Sequence, residues 1–318
     1  MDLLPVLHKI TKANTSVPHL KVIRIYDDTL TATDLVTTMQ IKNAPFSNVD
    51  CTVDADTFVR GWELTKSPKL EQIGRTLRIT DGNFKMDIHA TDVNFPQVSL
   101  SSEKSFDPQA FLDAARYLND YIKREKYATE ASQMFVQDGF AYATDGMLCL
   151  RKSIGSDIGK LVVCKTFVEV LAGIKNNPVD GLVDKDSVTI IFEDAVVSSL
   201  KLDFDFPLDF GSLFAELTDN LIGSEISGDF VENLGKLCAY EKSADHILIF
   251  DSNGVTLDSP GKTLLRLNEK FDEEVRLHSS RLAKILKLKS LRLAFNWDPG
   301  KTIAFQSKDL DGLLSVAD

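Results

Sequence analysis

No run of 18 apolar residues occurs in this 318-residue chain, so the sequence predicts no membrane-spanning helix. Cysteine is scarce. Cys51, Cys149, Cys164 and Cys238 lie far apart and none belongs to a CxxC pair. Zinc fingers and dithiol redox centres need closely spaced thiols, so the spacing argues against both. Apolar neighbours around each cysteine predict reduced, buried thiols in a cytoplasmic protein. His8, His19, His89, His246 and His278 show no HExxH or paired spacing, which leaves no metal centre, cofactor site or general base to name. Tryptophan is rare, and Trp62 falls on an apolar helical stripe as a core residue. Positive charge is in deficit: 36 Lys and Arg against 47 Asp and Glu, a net charge of −11. As an average, that balance argues against a nucleic-acid partner, because phosphate contact needs cations. The opening MDLLPVLHKITK carries an acid at position 2 and no long apolar segment, so it does not read as a secretory signal. What remains, 43% hydrophobic and 26% charged, is ordinary for a globular protein.

What is present is repetition. TATDL (31–35) returns as YATDG (142–146), and NFPQV (94–98) returns within DFPLDF (205–210). Asp34 to Phe95 spans 61 positions, and so does Asp145 to Phe206; both pairs are displaced by 111 residues. A unit of that length fits almost three times and is too long for a solenoid repeat.

Each unit opens with a helical stripe: Leu3, Leu7 and Ile10; Phe111, Ala115, Leu118 and Ile122; Phe230, Leu234 and Leu237. Asp107-Pro108 starts the second stripe as an N-cap followed by proline, and Asp229 can cap the third. Hairpins follow over 20–34, 132–145 and 246–259, turning at Asp27-Asp28, Asp138-Gly139 and Asn253-Gly254. A second amphipathic helix comes next, marked by Phe58 with Trp62, by Phe167 with Leu171 and Ile174, and by Leu282 with Ile285 and Leu286. Further hairpins cover 77–90, 188–202 and 291–307, while 101–106 and 216–228 read as linkers. The order helix, strands, helix, strands, three times over, predicts an α+β fold of three domains: 1–104, 105–217 and 218–318.

These residues resemble the bacterial-type DNA polymerase sliding clamp, the beta subunit of the replicative polymerase. DDTLTATDLVTTMQI (27–41) is similar to the family's first-domain hairpin, FAYATDGMLCLRK (140–152) to its second-domain ATDG segment, and FDFPLDF (204–210) to its FP segment with one residue extra. The likeness covers essentially the whole chain. A shorter and diverged sequence would suit a phage-encoded clamp. The resemblance implies a closed ring of two three-domain subunits, helices inside and antiparallel sheets outside. Such a ring encircles duplex DNA without reading sequence, tethers the polymerase and catalyses nothing.

Charge placement offers a test that does not depend on the family. Six helical stretches, 1–12, 54–69, 107–126, 164–177, 229–242 and 279–289, hold 17 basic and 12 acidic residues, a net of +5 that leaves −16 elsewhere. A basic helical set within an acidic shell suits a hole that tolerates phosphate and an exterior that repels it. The DNA-facing candidates are Lys9, Lys12, Arg60, Lys66, Arg116, Lys123, Arg124, Lys126, Lys165, Lys175, Lys236, Arg281, Lys284 and Lys287. The plainer alternative is that these are ordinary solvated faces, with cations favoured near helix C-termini.

The resemblance also implies a groove for short peptides of the polymerase and clamp loader. Its residues here are Thr144, Gly146, Met147, Leu148 and Cys149, with Pro207 at the family proline, Leu213 at a following valine and Val316 at a C-terminal methionine. Three departures alter it: Met-Leu replaces His-Arg after Gly146, the chain reads LLSVAD (313–318) in place of the MPMRL ending, and Asp318 brings a negative charge. These residues could equally pack a domain boundary. For the homodimer interface the candidates are the strand 84–90, with Phe84, Met86 and Ile88, together with Leu234, Leu237 and Leu265.

Other readings remain. A phosphate-handling enzyme is suggested by SPGKT (259–263) and DPGKT (298–302). A phosphate-binding loop, however, needs a glycine where Thr256 and Phe295 stand. A two-domain clamp that trimerises lacks a counterpart for the third unit. A clamp-fold scaffold that no longer binds DNA would keep the repeat and lose the ring.

Overall fold

A computed structural model describes residues 3–13, 17–44, 46, 48–96, 104–122, 132–206, 209–218, 228–239, 246–258, 266–267, 274–287, 292–294, 302–307 and 311–315. The chain forms two compact units, one from 1–141 and 154–205, the other from 142–153 and 206–318.

Helix, four strands, helix, three strands is the order in all three copies of the repeat. The first copy is α1 (Leu4–Ala13), β1 (Val22–Tyr26), β2 (Thr29–Thr33), β3 (Thr37–Ile41), β4 (Asp50–Asp54), α2 (Ala55–Glu63), β5 (Lys69–Ile73), β6 (Thr76–Asp81) and β7 (Phe84–His89). An added strand, β8 (Lys104–Phe106), precedes the second: α3 (Pro108–Leu118), β9 (Gln133–Gln137), β10 (Phe140–Thr144), β11 (Leu148–Ser153), β12 (Leu161–Cys164), α4 (Lys165–Gly173), β13 (Asp180–Val183), β14 (Ser187–Ile191) and β15 (Ala195–Leu200). An added helix, α5 (Phe210–Thr218), precedes the third: α6 (Gly228–Ala239), β16 (Ile247–Asp251), β17 (Gly254–Asp258), β18 (Arg266–Leu267), β19 (Val275–His278), α7 (Ser279–Ile285), β20 (Arg292–Ala294), β21 (Thr302–Gln306) and β22 (Asp311–Ser315).

In the first unit an antiparallel sheet runs β4-β1-β2-β3-β15-β14-β13-β8. Four of its strands come from the first copy and three from the second, joined where Thr37 faces Ser199 and Ile41 faces Ala195. The strands β5, β6 and β7 form a separate three-stranded sheet with β7 at one edge. Helices α2, α1, α4 and α3 pack side by side in that order; α1 also packs on β2 and β3, and α4 on β15. Leu7, Ile10, Phe58, Phe111, Phe167 and Leu171 fill this core and are essentially inaccessible to water. Each such side chain contributes about 1.5–3 kcal/mol through burial.

In the second unit β18-β17-β16-β19 form a four-stranded antiparallel sheet under α6 and α7. Strand β11 pairs with β22, which continues through β21 to β20. Leu234, Phe250, Leu277, Leu282 and Phe305 form the core.

Capping explains the helix starts. Asp107 accepts from the Gln109 N–H with Pro108 at the first turn, and Asp54 accepts from the Thr57 N–H. Two of the sequence expectations need correction. The segment 101–106, read as a linker, contributes β8, because Phe106 is buried and packs edge-on to Phe111. The linker 216–228 is entered by α5, whose Phe210 and Phe214 are one helical turn apart and both fully buried. Helices also end earlier than their periodicity suggests. After Glu63, the amides of Lys66 and Ser67 donate to the Asp81 carboxylate instead of continuing α2. At α4, Ile174 is already extended, and a Cβ on Gly173 would lie 3.1 Å from Lys9 and from Val6.

Candidate nucleic-acid interface and partner groove

The recurring ATD segment is a turn built by its aspartate. Asp34 Oδ1 accepts from the N–H groups of Val36 (3.0 Å) and Thr37 (2.6 Å). Asp145 Oδ1 does the same for Met147 (3.1 Å) and Leu148 (2.8 Å). Both are Asx turns, as the repetition of the residue suggests. The residue after the aspartate takes a left-handed backbone, φ 76° at Leu35 and 85° at Gly146. Glycine adopts that conformation without strain, and leucine does not.

The cations of the six stretches read as helical divide into two groups, and Lys66, Lys175 and Lys287 lie beyond the ends of α2, α4 and α7. Lys12, Arg60, Lys66, Lys175, Lys236 and Lys287 are exposed. Others are turned to internal tasks. Lys9 Nζ donates to the Glu169 carbonyl at 3.3 Å. Arg116 of α3 donates to the Ile174 carbonyl at the C-terminus of α4 (2.6 Å), and Lys165 of α4 donates to the Asn119 carbonyl at the C-terminus of α3. The two helices thus cap one another's orphan carbonyls with charge that suits the negative end of the helix dipole. Arg281 lies 3.9 Å from the Asp145 carboxylate, and both side chains are largely buried. Lys284 is half-buried, and exposed Lys236 pairs with Glu232 at 2.7 Å. Lys123, Arg124 and Lys126 lie outside the described residues.

Around the second ATD turn, Thr144 accepts from the Gly146 N–H, Gly146 is exposed and Met147 half-buried. Leu148 and Cys149 are buried in the pairing of β11 with β22, where they face Leu314 and Leu313. Burial pushes the Cys149 thiol up to about 12, so it is an apolar filler. Leu213 is half-buried on α5, while Pro207 and Val316 lie outside the described residues. Sequence reasoning missed what holds α5 here. Tyr142 stacks on Phe210 at 4.7 Å between centroids, and the Arg151 guanidinium sits 4.4 Å over Phe214 while pairing with Asp311 at 3.2 Å. The four-residue spacing of Phe206, Phe210 and Phe214 was the available signal.

On β7, Phe84 and Met86 are half-buried and Ile88 is buried. Gly61 of α2 permits this packing, since a Cβ there would stand 2.7 Å from the Met86 sulfur. Leu234 and Leu237 are core residues of the second unit, and Leu265 lies outside the described residues. A polar cavity of about 690 Å³ in the first unit is lined by Arg24, Asp50, Cys51, Arg75 and Asp92. Its arginines pair with Asp50 and Asp92, and burial pushes the Cys51 thiol up to about 11, which makes it a poor nucleophile.

No family model matches the chain, and no curated protein matches it. Among solved structures it is similar over its full length to bacterial sliding clamps. The DNA polymerase sliding clamp of Caulobacter crescentus aligns with 99% of this chain and 96% of its own, at 16% identity and a TM-score of 0.78. A putative DNA polymerase III beta subunit from Eubacterium rectale aligns with 100% of this chain and 97% of its own, at 11% identity and the same TM-score. The Helicobacter pylori beta clamp, solved with a DNA ligase peptide, aligns with 99% and 96%, at 15% identity and a TM-score of 0.75. The chain has the α+β clamp fold.

Proposed function

We propose that this chain is a DNA polymerase processivity factor. Two copies close head to tail into a ring of six domains, with boundaries in each chain at 1–104, 105–217 and 218–318. The ring encircles duplex DNA without sequence preference and tethers the replicative polymerase in the cytoplasm. It is not an enzyme and needs no cofactor.

One observation carries the reading. In the first unit, the four-stranded set of one copy of the repeat is completed by the three-stranded set of the next, through β3 and β15. In the second unit the corresponding strands β11 and β22 pair the same way. Two sets remain: the three-stranded β5-β6-β7 and the four-stranded β18-β17-β16-β19. By the same rule, β18 of one protomer pairs with β7 of another. Two such junctions close a ring and leave neither edge open. Phe84 and Met86, half-buried on β7, supply apolar contact at that junction.

DNA contact then falls to the exposed cations Lys12, Arg60 and Lys236 on helices, to Lys66, Lys175 and Lys287 just beyond helix ends, and to half-buried Lys284. Partner peptides dock beside Gly146, Met147 and Leu213, with Leu148 and Cys149 as floor. The peptide held by the Helicobacter pylori clamp supports that mode of recognition. Sedimentation should give about 71 kDa, twice the 35.3 kDa chain. Protein loaded on nicked circular DNA should be retained and then lost on linearisation. A monomer would overturn the ring, and a dimer with no retention would leave a clamp-fold scaffold.

A further inference from the structure

Strand β5 is the first-copy counterpart of β13. Ile73 faces Thr76 where β5 turns into β6, and 111 positions on, the Asp184 N–H donates to the Ser187 carbonyl. Leu70, Glu71 and Gln72 therefore correspond to Gly181, Leu182 and Val183. In the second copy β8 lies antiparallel on the outer edge of those residues: Phe106 faces Gly181, Ser105 faces Leu182 and Lys104 faces Val183. In the first copy, among the described residues, β5 pairs with β6 alone and its outer edge carries no strand. No residue of β5 is buried and Ile73 is exposed, whereas Gly181 and Val183 of β13 are buried. The strand is held in place all the same. The Gln72 carboxamide accepts from the Asp50 N–H at 2.6 Å and donates to the Asp50 carbonyl at 3.0 Å. A row of charges also stops at this edge. Asp87 on β7 faces Arg78 on β6 and holds its guanidinium through both carboxylate oxygens, at 2.8 and 3.1 Å, and Arg78 faces Glu71 on β5. Glu71 and its neighbour on the same face, Lys69, are exposed.

We propose that the outer edge of β5 docks an extended segment of a partner protein, antiparallel to β5, with a lysine or arginine opposite Glu71. Backbone hydrogen bonds add such a segment to the sheet, and its alternating side chains select it. A cation opposite Glu71 continues the row of negative, positive and negative charge from β7 to β5. An acid opposite Lys69 completes the neighbouring pair. Opposite Leu70 the residue is small. The Phe106 ring needs glycine across from it, since a Cβ on Gly181 would stand 2.8 Å away, and Leu70 brings the side chain that Gly181 lacks. Opposite exposed Ile73 the residue is apolar. Charges on a bare edge discourage unselected pairing, so an occupant has to match Lys69 and Glu71. The inference stands on the fold and not on the ring, whose proposed junction uses β7 at the other edge of this sheet.

A fluorescein-labelled peptide, GVTKVEG, tests the site by anisotropy against the full chain. It should bind saturably, and the charge-swapped GVTEVKG should bind about five-fold more weakly. The double reversal K69E/E71K should invert that preference. The comparison of the two peptides on the wild type needs no variant, so it stands whether or not K69E/E71K folds. Methylating every second amide of the peptide should abolish binding in one frame and spare it in the other, because alternate N–H groups of an added strand point at its neighbour. Bound peptide should slow hydrogen exchange of the amides of 69–73. Equal binding of both charge patterns, binding in both methylation frames, protection confined to other residues, or no saturable binding up to about 1 mM peptide overturns the proposal. A mass above that of a dimer, brought down by the peptide, would seat another copy on this edge and overturn the partner assignment. Failure of the ring would appear in the mass of the protein alone, with peptide binding unchanged.

Discussion

Asp34 and Asp145 close equivalent turns through two backbone amides each, yet their surroundings differ. Asp145 has Arg281 within 3.9 Å. Burial pushes the Asp34 carboxyl above its usual range, against the pull of the Thr37 and Val36 amides and the Thr166 hydroxyl. A raised folded-state value means that the folded chain keeps a proton the unfolded chain has released. The Asp34 contribution is therefore most favourable below the unfolded value near pH 4 and declines as pH rises through the folded one. Asp34→Asn keeps an oxygen for the turn and removes the charge. Urea midpoints of D34N should fall less between about pH 4 and pH 7 than those of the wild type. At Gly312, a Cβ would stand 2.1 Å from the Phe305 ring and 2.8 Å from Leu150. Gly312→Ala should lower stability by about 1–3 kcal/mol in chemical denaturation.

At the scale of elements, cations that look equivalent in the sequence separate by role. Arg116 and Lys165 tie α3 and α4 together by capping carbonyls, so they belong to stability. Replacing either with methionine should cost about 1–2 kcal/mol in unfolding free energy and leave the salt slope of DNA binding nearly unchanged. Replacing exposed Lys12 or Lys175 with glutamine should do the reverse, lowering the slope by up to about 0.9 each with little effect on stability. Measuring both quantities on the same variants decides between capping and phosphate contact. No count of charge along the helices could have made this division, because it depends on which carbonyl ends within reach of which side chain.

For the whole molecule, the test is closure. Phe84 and Met86 lie on a strand at the edge of a three-stranded sheet, and β15, its counterpart in the second copy, is paired and almost wholly buried. Met86→Asp places a charge at the proposed junction. It should halve the sedimenting mass and, because Met86 also packs against α2, lower the thermal midpoint, with a wild-type far-UV spectrum identifying the lighter species as folded monomer. On the proposed function, retention on circular DNA should vanish with the dimer, because linkage through a closed ring, and not affinity, would hold the protein there. A variant that stays dimeric would move the junction elsewhere.

Asp229, expected as a cap, lies inside the first turn of α6, which begins at Gly228, whereas the repeat, its period, the hairpin turns, the start of α3 at Asp107-Pro108 and the α+β class were legible along the chain. Each is set by local preference: aspartate and glycine at turns, aspartate with proline at a cap, apolar spacing along a helix. The pairing of β3 with β15, the entry of α5 and the capping of α3 and α4 by one another's cations were not. These contacts join residues far apart in the sequence, and their free energy exists only once the backbone brings them together. So the sequence alone determined that like units recur and what each is made of. The tertiary structure alone decided which edges are already paired and which charges are already occupied, since hydrogen bonds and ion pairs form between neighbours in space, whatever their distance along the chain.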